Sequence, residues 1–183
     1  MKITSLAIPD VKLIETKVFE DNRGFFLESY SKRVFEQAGI KCDFVQDNHS
    51  SSKNAGIIRG LHFQVPPHAQ AKLVRVTKGR IWDVAVDLRR ASPTYAQYVS
   101  TELSAQTFKM LFIPVGFAHG FVTLEPNCEM HYKTDAYYSP NHEGGIRWDD
   151  PDLAIDWPLQ YNSATLSKKD KLLPMLSNFQ TNF

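Results

Sequence analysis

"KLVRVTKGRIWDVAVDLR", residues 72–89, reads as two β-strands around Lys78-Gly79. In its second half Trp82, Val84, Val86 and Leu88 recur every second residue, so the four share one face of a strand. Similar runs follow in QYVSTEL (97–103), KMLFIPV (109–115), HGFVTL (119–124) and EMHYKT (129–134), separated by turn residues. Strands this short and this closely spaced favour a β-sandwich or barrel over a parallel α/β sheet. One helix is expected near SKRVFEQAG (31–39), with Ser31 to cap it, Gly39 to end it, and a narrow apolar stripe of Val34, Phe35 and Ala38. A second helical turn is expected in LSKKDKLLPML (166–176), where Pro174 interrupts. Pro140, Pro151 and Pro158 punctuate the C-terminal third, which should wrap the sandwich as loops and short pieces.

With 183 residues and no linker, repeat or low-complexity tract, the chain is expected to form one domain, residues 1–183. A hydrophobic fraction of 43%, a charged fraction of 22% and a formal net charge of +1 give no general attraction to nucleic acid or to a membrane surface. Cys42 and Cys128, with no CxxC spacing, argue against a disulfide framework or a cysteine-bound zinc and suit a reducing compartment. Pro9 and Asp10 break the first apolar stretch, so neither a signal peptide nor a membrane span is expected there. The expected location is the cytoplasm.

Several segments carry groups that chemistry can use. In GIIRGLHFQV (56–65), strand alternation puts Leu61 and Phe63 on one face and Gly60, His62 and Gln64 on the other; in a polar lumen Arg59, His62 and Gln64 belong near the mouth. A second histidine, His119, lies in FIPVGFAHGFV (112–122), and the spacing of Pro114, Gly116 and His119 resembles the second half-motif of the cupin superfamily. Metal-binding cupins carry His-x-His followed by Glu, whereas the position two beyond His62 is Gln64, a poor substitute for imidazole. A set of His62, His119 and Glu129 lacks its best ligand, and no metal or other cofactor is expected. FEDNRGFFLESY (19–30) combines Arg23, Glu28 and the pair Phe25-Phe26, either an ordinary surface turn or a guanidinium and a ring able to hold a phosphate and a base. Lys72 opens its strand, where a lysine ordinarily snorkels into water. Tyr132 shares a face with Met130 and Thr134, opposite Glu129, His131 and Lys133, and alternation leaves open which face points inward. Asp170, beside Lys168 and Lys169, reads as a solvated charged turn, and of Tyr137 and Tyr138 at least one is either core or a stacking platform.

In order along the chain, AIPDVKLIE, KVFEDNRGFFLESY, FVQDNHS, IIRGLHFQ, AKLVRV, DVAVDLR, SPTYAQ, IPVGFAHGFVTL, YKTDAYYSP, EGGIRWDDPDLAIDWP and LSKKD resemble the dTDP-4-dehydrorhamnose 3,5-epimerase family. The resemblance implies an all-β, cupin-like jelly-roll sandwich or barrel with a few short helices, working without metal as a homodimer. It implies conversion of dTDP-4-dehydro-6-deoxy-D-glucose to dTDP-4-dehydro-6-deoxy-L-mannose. It also implies roles: His62 as base, Asp170 orienting it, Lys72 as the cation beside the enolate oxygen and Tyr132 as proton donor on the other face. Substrate contacts carried over in the same way are Arg23, Glu28, Gln46, Asp47, Asn48, Arg59, His119, Glu143 and Lys169, with Phe26 and Tyr138 as stacking partners. An epimerase acting at one carbon of another dTDP-deoxyketosugar, and a non-catalytic nucleotide-sugar-binding cupin, are the alternatives.

Overall fold

A computed structural model describes residues 1–159, 163–180 and 183. Thirteen strands appear in chain order: β1 (Lys2–Ser5), β2 (Lys12–Glu15), β3 (Val18–Asp21), β4 (Gly24–Leu27), β5 (Gln46–Ser52), β6 (Ile58–Gln64), β7 (Lys72–Lys78), β8 (Arg80–Asp87), β9 (Tyr98–Ser104), β10 (Lys109–Ile113), β11 (Phe117–Thr123), β12 (Cys128–Thr134) and β13 (Glu143–Gly145). A six-stranded sheet has the order β1-β2-β10-β7-β12-β5, a five-stranded sheet the order β13-β6-β11-β8-β9, and β3 and β4 form a separate hairpin. The pairings within these sheets are antiparallel, and two packed antiparallel sheets make the sandwich that the strand spacing predicts, in the jelly-roll form that the family resemblance implies. Among the described residues no helix is long and apolar enough to cross a membrane.

The stretch 72–89 does form two strands, but they do not pair with each other. β7 bonds to β10 and β12 while β8 bonds to β11 and β9, so the turn at Gly79 carries the chain from one sheet to the other. Both faces of β8 are therefore covered. Ile81 and Ala85 join Val74, Val76, Leu111, Phe117, Phe121 and Met130 between the sheets, whereas Val84, Val86 and Leu88 pack outward against Ile146, Trp148, Leu153 and Trp157 from the C-terminal third. That third wraps the sandwich as its prolines suggest. Asp150 pins it by accepting from the backbone N–H groups of Asp152, Leu153 and Leu176.

The predicted helix is α1 (Lys32–Gln37), preceded by Ser31 at the N-cap position, where its side chain makes no capping bond. Phe35 is buried beneath it with Ile40, Ile14, Leu73, Met110 and Phe112, so α1 covers the outer face of the six-stranded sheet. The apolar stripe is narrower than expected, because Ala38 is exposed: after it the chain turns at Gly39 (φ +84°) and buries Ile40 instead. The second helical turn is a short 3-10 segment, Asp170–Leu172, ahead of Pro174.

One irregularity positions the interior. Across β6 and β11, His62 faces His119 and Arg59 faces Phe121, so three steps on β6 match two on β11. This bulge puts Arg59 on the same side as His62, against strict alternation. It needs glycine at position 60, with φ +128°, where a Cβ would lie 2.5 Å from Gly120 Cα and 2.8 Å from the His119 carbonyl oxygen. Gly24 has the same φ of +128° with nothing within 4 Å of its would-be Cβ. Gly24→Ala should therefore lose only the backbone strain, about 1–3 kcal/mol, while Gly60→Ala should lose more, since backbone must move. Urea unfolding midpoints check this; equal losses would mean that the close approach of β6 and β11 is unimportant.

Candidate active site

The two sheets enclose a cavity of about 460 Å³ lined by Arg59, His62, Lys72, His119, Tyr132, Tyr138, Glu143, Lys169 and Asp170, among others. Its size is that of an ordinary small-ligand pocket. The five-stranded sheet contributes His62 from β6 and His119 from β11, and the six-stranded sheet contributes Lys72 from β7 and Tyr132 from β12. Histidines and tyrosine thus approach from opposite walls.

His62 Nε2 lies 2.7 Å from Asp170 Oδ1, and the Asp170 side chain is almost wholly buried while His62 remains partly open to the cavity. The solvated turn expected around Asp170 is instead an inward one: the Asp170 N–H donates to Ser167 Oγ, and the carboxylate points at the histidine. Burial by itself raises the Asp170 carboxyl, but hydrogen bonds with His62 and Ser167 and the Gly60 N–H outweigh it and hold the pKa below the usual value. A carboxylate beside Nε2 keeps the proton of neutral imidazole on that nitrogen and leaves Nδ1 as the basic one.

Lys72 does not snorkel. It is 8% exposed, donates to the His62 carbonyl oxygen at 3.2 Å, and burial pushes its ammonium down to about 8 against the opposing pull of Asp83 and Glu143. Tyr132 faces inward with Met130, which resolves the open face of β12, and burial raises its phenol above the usual value. His119 is buried and shares its Nε2 between both oxygens of Asp83, each at 3.0 Å. Burial pushes its imidazole pKa down, opposed by Asp83.

At the mouth, Arg59 is held by Ser52 Oγ and the Ser51 carbonyl oxygen. Glu143 accepts from Tyr138 Oη at 2.9 Å and pairs with Lys169 at 2.5 Å. These contacts outweigh burial and lower the Glu143 carboxyl, while the same bond raises the Tyr138 phenol. Gln46 and Asn48 sit on the inner face of β5, opposite Thr134 and Tyr132, bonded to each other, with Gln46 Oε1 also accepting from the Tyr138 N–H.

The structure leaves other predicted contacts outside the cavity of their own chain. Asp47 lies on the outer face of β5, paired with Lys133, because alternation turns it away from Gln46 and Asn48. Arg23, Phe26 and Glu28 belong to the β3–β4 hairpin and the residue after it. Arg23 pairs with Asp21, and Phe26 is 70% exposed. The hairpin continues from β2, which is three positions from β12 in the sheet order, about 15 Å at the usual strand spacing.

Glu129 also faces outward, near His49 and Lys78, so His62, His119 and Glu129 do not converge on one point. Among the described residues no three His, Cys, Asp or Glu side chains do so in metal-ligand geometry. Gln64 is 3% exposed and its amide is committed, donating to the carbonyls of His68 and Tyr137 and accepting from the Ser139 N–H. It clamps the loop that carries Tyr138. Asp83 escapes a sequence reading centred on the Trp82–Leu88 face; the signal for it is an acid between Ile81 and Ala85 on the opposite face of the same strand.

A family model described as dTDP-4-dehydrorhamnose 3,5-epimerase matches residues 5–178. The enzyme of that name from Pseudomonas aeruginosa is 56% identical over 172 residues, covering 93% of each chain. The crystal structure of the Bacillus anthracis enzyme with TDP and pyrophosphate bound is 51% identical, with a TM-score of 0.92 over 96% of this chain and 99% of that one. The Legionella pneumophila enzyme in complex with dTDP-4-keto-L-rhamnose is 44% identical, with a TM-score of 0.92 over 98% and 94% of the two chains. The cavity with its His62–Asp170 pair thus stands in a chain that belongs to the dTDP-4-dehydrorhamnose 3,5-epimerase family.

Proposed function

We propose that this cavity performs the 3,5-epimerisation of dTDP-4-dehydro-6-deoxy-D-glucose, with residues 1–183 acting as one catalytic unit. The observation that carries the reading is that His62, backed by Asp170, lines the cavity from one sheet and Tyr132 lines it from the other, with Lys72 in the same cavity donating to the His62 carbonyl. The carbon-4 ketone acidifies the hydrogens at carbons 3 and 5. His62 takes one of them, the electron pair moves into the carbonyl to give an enolate, and Lys72 with His119 stabilises the oxygen. Tyr132 then returns a proton to the opposite face of the carbon. Asp170 holds the resulting His62 imidazolium, and solvent carries its proton back to the tyrosinate to close the cycle. The raised phenol pKa keeps Tyr132 protonated at neutral pH, as a donor must be.

The diphosphate fits the cations at the mouth, Arg59 and Lys169, and the base fits the exposed Tyr138 ring. Arg23, Phe26 and Glu28 fit the remaining contacts if the hairpin of a second protomer is laid across the mouth. Phe19, Phe25 and Phe26 are 52, 56 and 70% exposed on that hairpin, which favours a homodimer in which each hairpin serves the other chain. The free cysteines, Cys42 and Cys128, support a cytoplasmic setting.

In deuterium oxide with no metal added, proton NMR of the substrate should show deuterium entering carbons 3 and 5. Exchange at one carbon alone would indicate a single-site epimerase, and tight binding without exchange a binding protein. His62→Ala should stop both exchanges and leave dTDP binding within about threefold. Tyr132→Phe should reduce inversion by at least about tenfold while sparing the first exchange, which separates proton loss from proton return. Equal loss of both would remove Tyr132 from the donor role. Sedimentation velocity should find a dimer for the native chain, and weaker association for Phe25→Ser with Phe26→Ser; a native monomer would refute the shared hairpin.

A further inference from the structure

Asp83 is the most deeply enclosed acid near the cavity. It is 0% exposed, in the middle of β8, between Ile81 and Ala85 on the face that lines the apolar space between the sheets. A carboxylate in such a place needs cationic or hydrogen-bonding partners to remain ionised. Asp87, two pairs of alternation further along the same face, is accounted for by the fold: Arg89, Ser92 and Thr94 all bond to it and so pin the loop that follows. Among the described residues no loop is anchored by the Asp83 side chain. Its hydrogen bonds both go to His119 Nε2, at 3.0 Å to each oxygen.

Lys72 supplies the second half of the argument. The ammonium has three donors to satisfy, and its hydrogen bond is to the uncharged His62 carbonyl. Two acids act on it through space, Asp83 and Glu143. Glu143 is already engaged by Lys169 and Tyr138, which leaves Asp83 as the negative charge not committed to another cation. The groups that face Lys72 in the enclosed space are thus His62 from β6, Asp83 from β8, His119 from β11, Tyr132 from β12 and Glu143 from β13.

We infer that Asp83 is a positioning residue for the epimerisation: it fixes the ring of His119 through Nε2 and keeps the Lys72 side chain charged, so that both meet the enolate oxygen correctly. The inference rests on the epimerase reading. Asp83 touches no substrate atom in this role. With its Nε2 proton committed to the carboxylate, His119 can turn only Nδ1 toward a ligand, and Lys72 remains an ammonium at the pH where the ketone is to be polarised.

The test is the pH dependence of kcat/KM for the native enzyme and Asp83→Asn, measured as deuterium incorporation at carbons 3 and 5. The native rate should fall as pH rises through about 8, where Lys72 loses its proton. Removing the nearby negative charge disfavours the ammonium, so the alkaline limb of the variant should move down by about one pH unit, and its deficit at high pH should exceed that at about pH 6.5 by roughly tenfold. Limbs that coincide, with a uniformly lower rate, would overturn the inference and leave Asp83 a structural residue. An inactive native protein would sink the epimerase reading itself, and this inference with it. Should Asp83→Asn fail to fold, nitrogen NMR of the histidine-labelled native protein decides: His119 protonated at Nε2 supports the assignment, and the Nδ1–H form refutes it.

Discussion

An apolar sandwich that encloses Lys72, Asp83, His119 and Asp170 is stable only if those groups compensate one another, and the rest of the site follows from that requirement. Each is at most 8% exposed. Asp170 is matched by His62 and Asp83 by His119, so the two histidines that oppose each other across β6 and β11 each carry a carboxylate. The acids arrive from different parts of the chain, Asp83 from inside a strand and Asp170 from a 3-10 turn. The pairing therefore ties the C-terminal segment to the sheet as well as setting the histidine tautomers.

Strand content, the one helix and the wrapping C-terminal third were legible in the sequence because each depends on local pattern. Alternation in Val84, Val86 and Leu88 marks a strand whatever covers it, and Gly39 ends a helix wherever that helix sits. The partner of each strand was not legible. Lys78-Gly79 reads as the turn between two strands without saying whether they pair, and β7 and β8 part into different sheets there, because what a turn joins depends on strands far away in sequence. Ala38 fails as a core residue for a related reason: it is Phe35 and, past the turn, Ile40 that pack on the sheet beneath α1, while Ala38 stays exposed.

The site was legible as residue types through family resemblance and much less so through physics. Lys72 at the start of a strand and Asp170 between charges both look solvated, and only long-range packing buries them. His62 and Arg59 are an odd number of residues apart, so alternation would separate them; the extra residue at Gly60 reunites them, and nothing short of the Gly60–Gly120 approach announces it. Asp47 shows alternation acting the other way. Its neighbours Gln46 and Asn48 flank the cavity side, and the period of two that puts them there turns Asp47 outward to Lys133.

Inverting a stereocentre requires a base and an acid on opposite sides of one carbon, and a two-sheet sandwich supplies that opposition without a moving part. Strand β6 aims His62 into the gap from one wall, and β12 aims Tyr132 into it from the other. A flat six-membered ring held between the walls presents one face to each. In the proposed reaction the cation has to reach the ring edge, where the carbonyl oxygen lies, and Lys72 is available for that from the first residue of β7, with its ammonium against the backbone of β6. A metal in the same gap would polarise the carbonyl as well, but it would need the amide of Gln64 and the carboxylate of Glu129, and the fold has spent the first on a loop and turned the second to the outer face. In the proposed reaction the burden of stabilising the enolate falls on buried side-chain charge, and the inference drawn for Asp83 ties an acid that deep to the chemistry of the pocket as much as to its packing.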